Sequence, residues 1–124
     1  LSESELACCR ITMAQCHALV EIGRAKSISL NELAQLLDLK NSTMSRTVNN
    51  LVTGGLARRD IDFQDRRYVT ISLTESGIKM FKDIEEGMNL YFEKIYDSIP
   101  VDKQEQVIES IKMLVEAIGK NECC

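Results

Sequence analysis

The sequence predicts a mainly α-helical fold with one small β-hairpin, and three observations carry that expectation. Apolar residues recur at helical spacing over most of the chain, the period changes to alternation only between residues 56 and 73, and capping residues mark where helices begin. With 124 residues, 44% of them hydrophobic and 27% charged, the composition is that of one globular domain spanning 1–124. About two-thirds of the surface of such a chain is buried on folding, enough for a core without staples.

Thr12 followed by Gln15 is a capping box, and Ile11, Ala14, Ala18, Leu19 and Ile22 continue at helical spacing to Gly23, so a helix is expected over 12–24. Ser29 with Glu32 opens a second, short helix through Leu33, Ala34, Leu36 and Leu37 that ends near Asp38, with a strand of one or two residues over 27–29 before it. Asn41 or Ser42 is the expected cap of a third helix, whose apolar stripe is Met44, Val48, Leu51 and Val52 and whose stop is Gly54-Gly55. Its other face, Thr43, Ser45, Arg46, Asn49 and Asn50, consists of hydrogen-bonding side chains.

Strands follow over 56–61 and 68–73, the second alternating Val69, Ile71 and Leu73 with Tyr68, Thr70 and Ser72, and a polar loop over 62–67 joins them. Thr74 starts a long helix in which Phe81, Ile84, Met88, Tyr91 and Ile95 are spaced 3, 4, 3 and 4, the seam of a helix that packs along another. Pro100 breaks it. Asp102 with Glu105 is a further capping box, and Val107 or Ile108, Ile111, Leu114 or Val115, and Ile118 repeat the spacing in a last helix.

Composition excludes most chemistry. There is one histidine, His17, no tryptophan, no Gly-rich phosphate loop and no HExxH, GxSxG or CxxC pattern, so an enzyme is not expected. His17 reads as a half-buried surface residue. No apolar run approaches the ~20 residues that span a bilayer, and the opening Leu1-Ser2-Glu3-Ser4-Glu5 lacks the basic-then-apolar order of a signal peptide. The expected compartment is the cytoplasm, with no membrane partner. No cofactor is required by any motif.

The net charge of −4 conceals an asymmetry. Residues 40–74 carry 6 basic and 3 acidic groups, whereas 1–39 carry 3 and 5 and 75–124 carry 6 and 11. The positive block is Lys40, Arg46, Arg58, Arg59, Arg66 and Arg67. Arginine's planar fork suits phosphates and guanine edges better than a lysine point charge does. A short helix, a tight turn, a helix with a polar outer face and then a basic hairpin make a winged helix-turn-helix. A helix of about 12 residues, ~18 Å long, fits a major groove ~12 Å wide, while the wing sets a cation against the neighbouring minor groove.

Leu33-Ala34-Gln35-Leu36-Leu37-Asp38-Leu39, Ser42-Thr43-Met44-Ser45-Arg46-Thr47-Val48, Leu51 with Gly54-Gly55-Leu56, Arg58-Arg59, Asp65-Arg66-Arg67 and Leu73-Thr74-Glu75-Ser76-Gly77 together resemble the MarR family of bacterial transcriptional regulators. The resemblance runs from about residue 12 to 81. It implies a homodimer that binds a pseudo-palindromic double-stranded DNA operator, with a winged helix-turn-helix over 12–73 and dimerisation segments over 1–11 and 74–124. Carried over by position, it makes Ser42, Thr43, Ser45, Arg46 and Asn49 groove-facing and Arg67 the minor-groove residue oriented by Asp65, with Arg58 and Arg66 in the same basic surface. Asp38 stands where the family's turn usually has glycine, and Asp tolerates left-handed backbone better than most residues. The first dimerisation helix of the family normally precedes the Thr12 helix by more than eleven residues, so part of it is expected to be missing.

Cys8, Cys9, Cys16, Cys123 and Cys124 are the remaining unusual chemistry. In a reducing compartment an odd count reads as thiols or ligands and not as a disulfide framework. Soft thiolates select thiophilic ions, so arsenite is the leading effector, followed by zinc, cadmium or mercury. Thiol oxidation and a small aromatic ligand are alternatives, and the structural reading makes Cys16 a buried small hydrophobe and 123–124 a frayed tail. A winged-helix protein-interaction module, the competing class, would carry apolar residues in place of Thr43, Ser45, Arg46 and Asn49.

Overall fold

The computed structural model describes residues 11–61, 64–65 and 69–121. Its elements are α1 (Met13–Ala25), β1 (Ile28–Ser29), α2 (Leu30–Leu36), α3 (Asn41–Thr53), β2 (Ala57–Ile61), β3 (Val69–Leu73), α4 (Glu75–Asp97), a 3-10 turn (Val101–Lys103) and α5 (Gln104–Lys120). This is the expected class, mainly helical with a small antiparallel sheet. Two compact units divide the chain between Glu86 and Gly87.

In the first unit, the helices start where local chemistry satisfies their exposed N–H groups. Thr12 Oγ1 accepts from Gln15 N–H at 3.2 Å while Gln15 Oε1 accepts from Thr12 N–H at 3.1 Å, a complete capping box. Ser29 Oγ accepts from Glu32 N–H, but the Glu32 carboxylate turns to the Ser29 hydroxyl instead of the backbone, so that box is half made. The third helix departs from expectation. Its cap is Lys40, with no side-chain cap bond, because Asn41 is already helical and its side chain is drawn away to Asn31.

The strand expected near 27–29 exists and has a partner. Ile28 and Ser29 pair antiparallel with Ile71 and Thr70, so the hairpin belongs to a three-stranded sheet of order β1-β3-β2. Within the hairpin the register runs from Ala57 opposite Leu73 to Ile61 opposite Val69. The core collects Leu19 and Ile22 of α1, Leu33 of α2, Met44, Val48 and Leu51 of α3 and Ile71 of β3, all nearly or fully inaccessible to solvent. Burying each contributes about 1.5–3 kcal/mol.

The entry into α4 is tied to the exit of α3. Thr74 Oγ1 donates to Gly55 O at 2.6 Å and accepts from Gly77 N–H at 3.1 Å, while Thr74 N–H donates to Leu56 O at 3.0 Å. Gly77 has to be glycine, since a Cβ there would overlap the Leu56 carbonyl. Further along, Phe81 lies flat on Gly23, where a Cβ would come within 2.6 Å of the ring, and Arg24 pairs with Glu85 at 2.9 Å.

In the second unit the 3-10 turn after Pro100 replaces the capping box expected of Asp102 and Glu105. Pro100, at φ −51°, starts that turn; Lys103 becomes the uncapped start of α5. Gln104 Nε2 donates to Tyr96 O at 3.0 Å and Ile99 O at 3.2 Å, closing the end of α4. No residue of α5 is buried, and Leu90, Phe92, Ile111, Leu114, Val115 and Ile118 are each more than half exposed.

Two glycines of α4 should respond oppositely to alanine. Gly77→Ala is expected to lower stability by about 1–3 kcal/mol through a clash with backbone that cannot move aside. Gly87, with open space where a Cβ would stand, is expected to gain about 0.5–1 kcal/mol as alanine. Denaturant titration of both variants measures the pair; equal shifts would contradict the clash at Leu56.

Candidate nucleic-acid interface

α2 and α3 are joined by a tight turn that depends on one unusual residue. Leu37 and Asp38 close the end of α2 through N–H bonds to Leu33 O and Gln35 O, Asp38 takes φ 53°, and Leu39 N–H returns to Ala34 O at 2.9 Å. Asp38 thus performs the left-handed step expected of it at a position that favours glycine.

α3 has two chemically different sides. Met44, Thr47, Val48 and Leu51, at helical spacing, are buried, and the Thr47 hydroxyl is satisfied by donating to Thr43 O at 3.1 Å. The opposite side presents Asn41, Ser42, Thr43, Arg46, Asn49 and Asn50 to solvent, with Ser45 half-buried at its margin. Thirteen residues make this helix about 20 Å long.

β2 packs against α3 and carries the next cations. The pleat places Arg58 and Asp60 on one face with Ser72, and Arg59 on the other with Ala57, Ile71 and Leu73. Arg58 Nε donates to Ser72 Oγ at 3.2 Å, the Ser72 hydroxyl donates to Asp60 Oδ2 at 3.1 Å, and Arg58 approaches the same carboxylate oxygen at 3.4 Å. The Arg58 and Asp60 side chains are more than half exposed, so the pair adds little stability; its effect is to orient Arg58. Asp65 is half-buried, whereas Arg66 and Arg67 lie outside the described residues.

Of the five cysteines, Cys16 is described, 6% exposed within the core of α1, while Cys8, Cys9, Cys123 and Cys124 lie outside the described residues. His17, expected to be half-buried, is exposed. Among the described residues no three His, Cys, Asp or Glu side chains group as a metal site, and no helix is long and apolar enough to cross a membrane.

Sequence reasoning missed the contact between Asn31 and Asn41, whose Nδ2 donates to Asn31 Oδ1 at 2.7 Å. No local pattern flags it, because the partners are ten residues apart in different helices.

A helix-turn-helix running into a basic β-hairpin defines the class: this is a winged-helix protein. The MarR family model matches residues 11–69, from just before α1 to the first residue of β3, a stretch just short of half the chain. The chain is similar to the HTH-type transcriptional repressor MdtR of Bacillus subtilis, 22% identical over 112 residues that span 90% of this chain and 72% of MdtR. Its fold is similar to that of Streptococcus pneumoniae FabT solved in complex with DNA, with a TM-score of 0.83 and 23% identity over 89% of this chain and 77% of FabT. The reduced form of MarR from E. coli is similar at a TM-score of 0.76 and 25% identity, over 90% of this chain and 82% of that one.

The burial of Cys16 has a direct readout. With the other four cysteines replaced by serine, Cys16 should stay unmodified by a disulfide-exchange reagent in the folded protein and react once denaturant is added. Rapid modification under native conditions would show that α1 opens at this position.

Proposed function

We propose that two copies of this chain form a cytoplasmic homodimeric repressor that binds a pseudo-palindromic DNA operator, with α3 of each copy in a major groove and the hairpin against the adjacent minor groove. The observation that carries this reading is the division of α3, whose buried side is fully committed to the core while its outer side is entirely polar or basic. A protein-interaction module would expose apolar groups there. The similar MdtR is a repressor and the similar FabT was solved with DNA, which supports both the sign of regulation and the ligand.

In this reading Ser42, Thr43, Ser45, Arg46 and Asn49 meet base edges. Arg58 and Arg66 lie against phosphates, Arg67 enters the minor groove, and Asp65 orients it. The start of α3 suits a phosphate as well, since its first N–H groups have no side-chain cap. The second copy is supported by the apolar side chains that α5 and the end of α4 leave exposed, from Leu90 and Phe92 to Ile111, Leu114 and Ile118. Such a surface gains about 25 cal/mol per Å² of apolar area when covered.

The effector reading rests on the thiols. Cys16 is in the core, so a soft-ion site, for arsenite first and for zinc, cadmium or mercury after it, would draw on the vicinal pairs Cys8-Cys9 and Cys123-Cys124 and include Cys16 only if α1 opened. Oxidation of the same thiols is the second reading.

Two experiments test this function. Binding to a duplex selected from a random pool should fall sharply when one half-site is removed, because two recognition helices related by a twofold axis need sites about one helical turn apart. On that duplex Arg46→Ala and Asn49→Ala should relax base preference by about 1–3 kcal/mol each, while Arg67→Ala should weaken binding without changing which sequence is preferred. Equal affinity for one half-site, or full affinity in Arg67→Ala, would contradict the dimeric winged reading.

For control, arsenite should lower operator affinity by roughly 5- to 150-fold, the range of ordinary allosteric coupling. Serine at Cys8 and Cys9 should abolish that response and leave operator binding intact. If arsenite, cadmium, mercury and peroxide all leave affinity unchanged in reduced protein, the thiols are structural.

A further inference from the structure

Asn31 belongs to α2 and lies outside every residue set considered above for contact with DNA, yet it makes the short bond that reaches the leading residue of α3. Asn41 Nδ2 donates to Asn31 Oδ1 at 2.7 Å, and both side chains are exposed. An exposed amide–amide bond contributes little net stability, since water satisfies the same groups when it breaks. Its consequence is orientation. An unheld Asn samples several rotamers and can present either its oxygen or its amino group, whereas a bound one has one hydrogen committed and its plane fixed.

We infer that Asn31 is a positioning residue for base reading: by accepting from Asn41 Nδ2 it holds the Asn41 carbonyl oxygen as a fixed acceptor at the leading end of α3, so that the base pair met there is selected for an exocyclic amine, adenine N6 or cytosine N4. Thymine O4 and guanine O6 are acceptors and cannot satisfy a carbonyl oxygen, so they are disfavoured on the strand Asn41 faces. Holding the side chain in place before binding also removes part of the ordering cost that a mobile Asn would incur in the groove. The inference rests on the reading that α3 enters the major groove.

The test uses the full chain and a duplex it selects from a random pool, with every operator position then substituted by each of the four bases. Asn31→Ala should narrow the preference at one base pair per half-site by about 2- to 12-fold, the range of one hydrogen bond. Asn41→Ala should narrow it at the same pair, and the double variant should lose no more than Asn41→Ala. Asn31→Asp can accept but not donate, so it should restore the preference ratio even though its charge lowers overall affinity beside phosphates. A purely structural bond would instead lower the melting temperature and weaken all sequences equally, and that result overturns the inference. So does an additive double variant, or a preference that Asn31→Asp fails to restore. If Arg46→Ala and Asn49→Ala relax preference while the Asn31 variants do not, this inference alone fails; if none of them does, or no duplex is selected, the groove reading of α3 fails with it.

Discussion

The hydroxyl of Thr74 donates to the carbonyl of Gly55, just after α3, and accepts from the amide of the third residue of the long helix. One side chain therefore ends the turn after α3 and begins α4, and the missing side chain of Gly77 lets the two backbones approach closely enough for this to happen. Because α3 is locked to the core through Met44, Val48 and Leu51, the first turns of α4 are locked with it. The contact of Phe81 on Gly23 and the Arg24–Glu85 pair attach α1 to the same stretch of helix. Packed interiors respond to such ties as blocks rather than as soft continua. Any event that reorients the start of α4 moves the polar side of α3 with it.

The order and type of the elements were legible because each is announced locally. Thr12 and Gln15 cap each other across three residues, Gly54-Gly55 ends a helix at sequence range, and the change from helical spacing to alternation near residue 56 needs only neighbouring side chains. The turn at Asp38 was legible for the same reason, as a residue tolerant of positive φ stands where one is required. What could not be read locally depends on residues far apart. Asn41 looks like a helix cap until Asn31, ten positions earlier, draws its amide away and leaves Lys40 as the cap. The short strand at Ile28 and Ser29 could be expected from its neighbours, but its pairing with Ile71 and Thr70 of β3 could not. At Pro100 the fixed φ starts a 3-10 turn that uses up the residues a capping box over Asp102 and Glu105 would have needed.

The polar side of α3 was legible as an absence of hydrophobic residues, which is a weaker signal than a motif but a physically specific one. Of the five residues that the resemblance makes groove-facing, Ser42, Thr43, Arg46 and Asn49 are solvent-exposed, and Ser45 sits at the boundary with the core. Arg58 shows where pattern reading stops. Its charge is visible in the sequence, whereas its restraint by Ser72 and Asp60 requires the strand register that sets positions 58 and 72 opposite each other.

The sheet order leaves β2 on an outer edge, and three of its five residues are Arg58, Arg59 and Asp60. An unpaired strand edge is a template for the strand of another molecule, and charged side chains along it are a common way to prevent that addition. The charged residues of the wing therefore guard its edge. They keep one hairpin from pairing edge to edge with the next, so a variant with neutral residues at 58 and 59 would lose colloidal solubility.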